Sequence, residues 1–109
     1  MQHLESAGRH TTPVGRPNHW VEHLRVPTMS VGTYSVPAGS ADTQKPHTED
    51  EVYVVTSGRA VFEAAGERIP VSAGTVLFVP AHEEHRFVEV TEDLTVIVVF
   101  GPAEYSLKA

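Results

Sequence analysis

Short apolar segments alternate along the chain with clusters of turn-forming residues. WVEHLRV and MSVGTYSV lead to a break at Pro37-Ala38-Gly39-Ser40. EVYVV runs into Ser57-Gly58, AVFEAA into Gly66-Glu67, RIPV into Ser72-Ala73-Gly74 and TVLFV into Pro80-Ala81. HRFVEV and LTVIVVF close the pattern. Eight extended segments with turn signals near every tenth residue predict an all-β sandwich or barrel. Pro13, Pro17, Pro27, Pro37, Pro46, Pro70 and Pro80 interrupt nearly every possible helix, because proline lacks the amide hydrogen and clashes with the preceding turn.

In EVYVV a period of two places Glu51, Tyr53 and Val55 on one face, with Val52 and Val54 on the other. Both faces are largely apolar, which predicts a strand covered on both sides, by the barrel interior and by a second chain. Tyr53, Phe62, Phe78, Phe87 and Val98 are expected in the core, with Tyr53 and Phe87 also placed to line a pocket. The opening stretch MQHLESAGRHTTPVGRPNH shows no periodicity and lacks the apolar run of a signal peptide. The expected organisation is a flexible arm over 1–18, a barrel over 19–103 and a tail over 104–109.

With 109 residues the chain can bury one core. A formal charge of -6 opposes binding to phosphate backbones and to anionic membrane, so no nucleic-acid or membrane partner is expected. LTVIVVF is far too short to cross a bilayer as a helix. The sequence has no cysteine, which excludes disulfides, thiolate nucleophiles and sulfur-ligated metals. It also fits a reducing, cytoplasmic setting. No G-x-S-x-G and no Gly-rich phosphate loop occur. Histidine and carboxylate remain as the carriers of chemistry.

His47 and Glu51 stand four residues apart where a polar bend meets EVYVV, and His85 opens HRFVEV 34 residues beyond Glu51. Strands of an antiparallel barrel can bring such positions together inside. Two imidazoles and a carboxylate suit Fe(II), Mn(II), Ni(II) or Zn(II). Glu49 is the rival carboxylate; the six-residue spacing from Glu51 to Gly58 and the parity of the strand favour Glu51, and Glu49 falls back to the solvated bend. Asp50, Glu83 and Glu84 read as loop charges.

The spacing of these residues resembles the cupins, whose first motif reads G-x5-H-x-H-x(3–4)-E-x6-G and whose second reads G-x5-P-x-G-x2-H-x3-N. Here Gly39, Lys45, His47, Glu51 and Gly58 occupy the positions of the first, and Gly74, Pro80, His82, His85 and Glu89 those of the second. The two motifs span residues 39–89, and the flanking strands extend the likeness to about 20–102. The resemblance implies a jelly-roll-like double-stranded β-helix of antiparallel strands. It also implies a divalent transition metal held by His47, Glu51 and His85, a small organic ligand or substrate, and a homodimer formed through the outer sheet faces.

Three positions depart from the pattern. His82 replaces a glycine, Glu89 an asparagine and Lys45 the first histidine. An ammonium group cannot ligate a metal, so the ligand set is reduced to two histidines and one carboxylate. Lys45 shares parity with His47, so it is expected either to face inward, holding an anionic oxygen of a substrate, or to extend into water. Glu51 is expected to act as ligand alone or also as proton acceptor, and His82 either to gate or supplement the pocket or to sit at its rim. These features imply a metal-dependent enzyme of dioxygenase, isomerase, cyclase or decarboxylase type. A non-catalytic metal- or ligand-binding barrel and a metal-free sugar isomerase or epimerase using His47 and His85 remain open beside it.

Overall fold

Six strands form rather than eight, because two of the expected breaks are bends within continuous strands. The computed structural model describes residues 1–108. In chain order the strands are β1 (His19–Val26), β2 (Met29–Val36), β3 (Asp50–Ala64), β4 (Glu67–Ser72), β5 (Val76–Val79) and β6 (His85–Gly101). EVYVV and AVFEAA are two halves of β3, while HRFVEV and LTVIVVF are two halves of β6. All pairing is antiparallel, in the order β1-β2-β6-β3-β4 with β5 also on β3, and the architecture is all-β and jelly-roll-like. No described residue is helical, and so no helix is long and apolar enough to cross a membrane.

The long β3–β6 ladder folds over on itself. Glu51 pairs with Phe100 near one end and Ala64 pairs with His85 near the other. At about 3.3 Å per residue, a straight strand would separate Glu51 from Ala64 by roughly 43 Å. The molecule's longest dimension is only 35 Å. Register shifts between Val55 and Val61 absorb the bend. Gly58 sits in that stretch with φ +92°, and a Cβ there would lie 2.2 Å from the Asp93 carbonyl oxygen. Only glycine permits both that backbone conformation and that approach. Ser57-Gly58 is therefore a hinge inside a strand, and pairing continues on both sides of it.

Alternation then fills the interior. Tyr34 and Val36 from β2, Tyr53, Val55 and Phe62 from β3, and Phe87, Leu94, Val96, Val98 and Phe100 from β6 form one buried cluster. Burying side chains of this size stabilises by about 1.5–3 kcal/mol each. Trp20 of β1 packs edge-on against Tyr34 and Phe100 and lies over Gly32, where a Cβ would be 2.2 Å from its ring. Pro70 is tolerated because β4 is an edge strand.

Phe78 departs from the expectation of a core residue. On β5 the inward positions are Leu77 and Val79, so the period of two turns Val76 and Phe78 outward, where they are 63% and 64% exposed. The outer face elsewhere is covered by the chain's own first residues. Gly8 N–H donates to Thr33 Oγ1, Thr11 N–H donates to Ser35 Oγ, and Thr56 Oγ1 donates to the Gly8 carbonyl. His10 Nδ1 lies 3.0 Å from Thr95 Oγ1. Thr33, Ser35 and Thr95 are buried beneath these contacts.

Candidate metal centre

The bent ladder carries the inward face of one end of β3 to the start of β6. Glu51 enters from β3, His85 from the first residue of β6, and His47 from the loop that precedes β3. That loop is tied to the turn before β6 by two hydrogen bonds. His82 N–H donates to the His47 carbonyl at 2.8 Å, and Ala81 N–H donates to Asp50 Oδ1 at 2.9 Å. The two stretches that carry the histidines are thereby fixed to each other.

His47, Glu51 and His85 are all buried and offer one ligand atom each within 4.8 Å of one another. His85 Nε2 is 3.0 Å from Glu51 Oε1, and His47 Nδ1 is 3.4 Å from the same oxygen. Each imidazole is oriented by its other nitrogen. His85 Nδ1–H donates to the Glu83 carbonyl at 2.7 Å, and His47 Nε2–H donates to Glu104 Oε2 at 2.9 Å. Such outer contacts fix the tautomer and leave the inner nitrogen's lone pair free for a cation. Three buried side-chain polar atoms among the described residues have no partner, and two of them, His47 Nδ1 and Glu51 Oε2, are in this cluster. A buried polar atom without a partner is costly, and a metal ion would satisfy both. The donor set of two imidazoles and a carboxylate fits a divalent transition metal.

Electrostatics bind the cluster together in its metal-free form. Burial disfavours the Glu51 carboxylate, but the imidazoles of His47 and His85 beside it, with their charges, outweigh it and hold its pKa below the ordinary value. Burial likewise opposes the His47 imidazolium, and the hydrogen bond to Glu104 together with the charges of Glu104 and Glu51 reverses this and raises its pKa to about 9. His85 is also raised, its desolvation outweighed by Glu51 and by the Glu83 carbonyl. Tyr53 is kept a neutral phenol first by burial and then by the Glu51 charge.

The other residues expected at the site fall in different places. Tyr53 is fully buried, with its hydroxyl 2.7 Å from His85 Nε2 and 2.8 Å from Gln44 Oε1. Phe87 is a core residue packed on Phe62 and Tyr53, and it does not reach either cavity beside the cluster. Lys45 is exposed, and it lines both cavities rather than facing into the cluster. Its neighbour Gln44 is the residue that turns inward. His82 is exposed and touches the site through its backbone alone. Its φ of 69° accounts for the glycine otherwise found in that motif position, and the φ of 49° at Glu89 accounts for the asparagine.

Five residues near the site were not singled out for these roles by sequence reasoning. Asp42 accepts hydrogen bonds from Tyr34 Oη, from the Gln44 and Phe87 backbone N–H groups and from Gln44 Nε2, and so holds Gln44 in place. Glu104 and Tyr105 arrive from the tail, Tyr105 stacking on the His47 ring at 5.1 Å. Glu49, read as part of a solvated bend, is instead buried and accepts from Thr48 Oγ1 and from the Tyr105 and Leu107 N–H groups. The parity that placed Glu51 inside applies equally to Glu49. For the tail residues no sequence signal exists.

The cluster lies between two cavities. His47, Trp20, Tyr34, Phe100, Glu104 and Tyr105 help line one of about 160 Å³. His85, Glu63, Arg68 and Arg86 help line an open groove of about 810 Å³, and Gln44 and Lys45 stand between the two.

Comparison with known proteins agrees with this architecture. The Cupin domain family matches residues 32–100. An uncharacterised protein of Streptomyces coelicolor is 48% identical over 85 residues, covering 78% of this chain and 81% of that protein. Among solved structures, KdgF from Halomonas sp. superposes with a TM-score of 0.73 at 24% identity, covering 84% of each chain. The DMSP lyase DddQ from Ruegeria pomeroyi gives 0.74 at 16% identity, covering 85% of this chain and 49% of that one. At these identities the structural likenesses establish the fold, while the family match spans well over half of the chain. The chain belongs to the cupin family.

Proposed function

We propose that this cupin is a metal-dependent enzyme acting on a small organic molecule, with His47, Glu51 and His85 as its metal ligands. The observation that carries the reading is the pair of unpartnered buried atoms, His47 Nδ1 and Glu51 Oε2, beside His85 Nε2. A divalent ion held there supplies Lewis acidity toward a substrate oxygen, and iron would add redox chemistry with O₂. The chain's own groups do the rest. Glu51 neutralises charge at the centre and is the nearest proton acceptor. The neutral Tyr53 phenol donates to Gln44 Oε1, which leaves His85 Nε2 available. Lys45, at the mouth of both cavities, offers its ammonium to a carboxylate or other anionic oxygen of the substrate. The smaller cavity admits a molecule about the size of benzene. That a fold neighbour is a lyase accords with a cupin doing chemistry, although the fold does not select the reaction.

Metal analysis of protein purified without added metal tests the centre, and His47→Ala and His85→Ala should each abolish stoichiometric metal. Unchanged metal content in both variants would sink the assignment. Turnover against a panel of catechols, β-diketones and keto acids separates an enzyme from a binding protein. The tail residues Glu104 and Tyr105, which cover His47, favour non-catalytic binding as the second reading. A uniformly negative panel with metal present would support it. The exposed Val76 and Phe78 on β5 are assigned to a homodimer contact, checked by light scattering at micromolar concentration, where a monomer mass would count against it.

A further inference from the structure

The three ligand candidates are anchored by unequal means. Glu51 sits within the β3 ladder, and His85 is oriented by a backbone carbonyl two residues away. His47 is oriented by a side chain 57 residues further along, beyond the last strand. Glu104 reaches it because the chain after β6 is pinned at several points. Ala103 is buried, Glu104 N–H donates to Oγ of the buried Ser30 at 2.8 Å, and Glu49 accepts from the next turn at Tyr105 N–H and Leu107 N–H. Both partners of the contact are shielded, the side chains of His47 and Glu104 being 7% and 13% exposed.

The geometry then decides which nitrogen faces the centre. A carboxylate has only acceptors, so the nitrogen beside Glu104 must carry a proton, and the opposite nitrogen, Nδ1, faces the centre beside Glu51, where its proton can give way to an ion. Glu104 is not itself within the group of atoms that could share an ion with Glu51 and His85. Its one polar contact at the site is to His47. Tyr105, stacked on the other side of the tail's approach, limits rotation of the ring.

We infer that Glu104 is a positioning residue of the metal centre, holding His47 through Nε2–H so that Nδ1 is presented to the ion, and that the C-terminal turn is thereby an integral part of the site. The inference rests on the metal-binding reading above. The test is zinc affinity, measured by competition with a chromogenic chelator on the full chain, for the wild type, Glu104→Ala and Glu104→Gln. Thermal unfolding of each variant monitors folding. Loss of such an outer contact weakens metal binding about 10–100-fold. That loss is expected for Glu104→Ala, while Glu104→Gln should fall between the two because its amide oxygen still accepts from Nε2–H. Imidazole ¹⁵N shifts of the zinc-loaded wild type should show His47 protonated at Nε2. Wild-type affinity in Glu104→Ala, or zinc on Nε2 of His47, would overturn the inference and leave the metal reading standing. A wild type that binds no zinc would overturn both. Should Glu104→Ala fail to fold, the isosteric Glu104→Gln and the ¹⁵N shifts still decide.

Discussion

Glu49 and Glu51 stand two residues apart, are both buried, and are held in opposite states of completion. Glu49 is saturated, with a hydroxyl and two backbone N–H groups of the tail converging on its two oxygens. Glu51 is left incomplete, one oxygen shared between two histidines and the other without a partner. A buried carboxylate whose acceptors are all filled is a structural clamp, whereas one with an open oxygen beside a bare imidazole nitrogen is prepared for a cation. Burial alone does not tell these regions apart. The inventory of donors around each oxygen does.

The largest expected effect is at Glu51. Glu51→Ala should remove stoichiometric metal, a loss beyond the ~100-fold ceiling of outer contacts. Glu49→Ala should retain metal with affinity reduced by about tenfold, because the tail that carries Glu104 loosens. Equal loss in the two variants, measured by the same chelator competition, would erase the distinction.

Stability should rank them the other way. Hydrogen bonds to a charged group are worth about 1.5–3 kcal/mol, and Glu49→Ala removes an acceptor with three donors. After hydration of the freed tail, a net cost of about 2–3 kcal/mol is expected, which lowers the melting temperature by on the order of 10 °C. Hydrogen exchange at Tyr105 and Leu107 should accelerate selectively. If the tail amides stay protected in Glu49→Ala, the clamp lies elsewhere.

The two regions should also respond at opposite ends of the pH scale in metal-free protein. Burial opposes the Glu49 carboxylate, but the Thr48, Leu107 and Tyr105 hydrogen bonds and the His47 charge outweigh it and lower its pKa. Its contribution is therefore present above the ordinary value of 4.5 and is lost as pH falls through the lower folded value. His47, facing Glu51, Glu104 and His85, is raised from 6.5 to about 9. Its contribution is complete below 6.5 and fades as pH rises through about 9. Melting temperature against pH should thus fall on both sides, with protection of the tail amides, relative to their intrinsic exchange, lost first on the acid side. Metal should bind more weakly as pH drops below about 9, since the ion competes with the His47 proton.

The smallest effects concern backbone strain, with Glu89 as the control outside both regions. His82→Gly and Glu89→Gly relieve left-handed backbone at φ 69° and 49°. Each should stabilise by about 1 kcal/mol at most, the strain relief partly offset by glycine's greater unfolded entropy. Zinc affinity should not change in Glu89→Gly.

Much of the site was legible before the fold was known. The spacing of His47, Glu51 and His85 pointed to three residues that the fold brings together, and the period of two carried the inward direction of Glu51, Tyr53 and Val55. The same period contained the burial of Glu49 and the exposure of Phe78, since each follows from the parity of its strand neighbours. Local charge obscured the first, and the apolar character of phenylalanine obscured the second. Lys45 shows the limit of parity. It holds only in a regular strand, and residues 41–47 form an irregular loop in which Asp42 pulls Gln44, not Lys45, inward.

What the sequence determined by itself is what short-range rules encode: an all-β chain, the location of its extended segments, and two motifs whose residue types suit a divalent metal. Only the tertiary structure decided that Ser57-Gly58 is a hinge rather than a turn, because the evidence is the approach of Asp93, 35 residues away. It alone placed Glu104 on His47 and Tyr105 over its ring. Those contacts join residues more than 50 positions apart, across a separation over which neither periodicity nor spacing carries information.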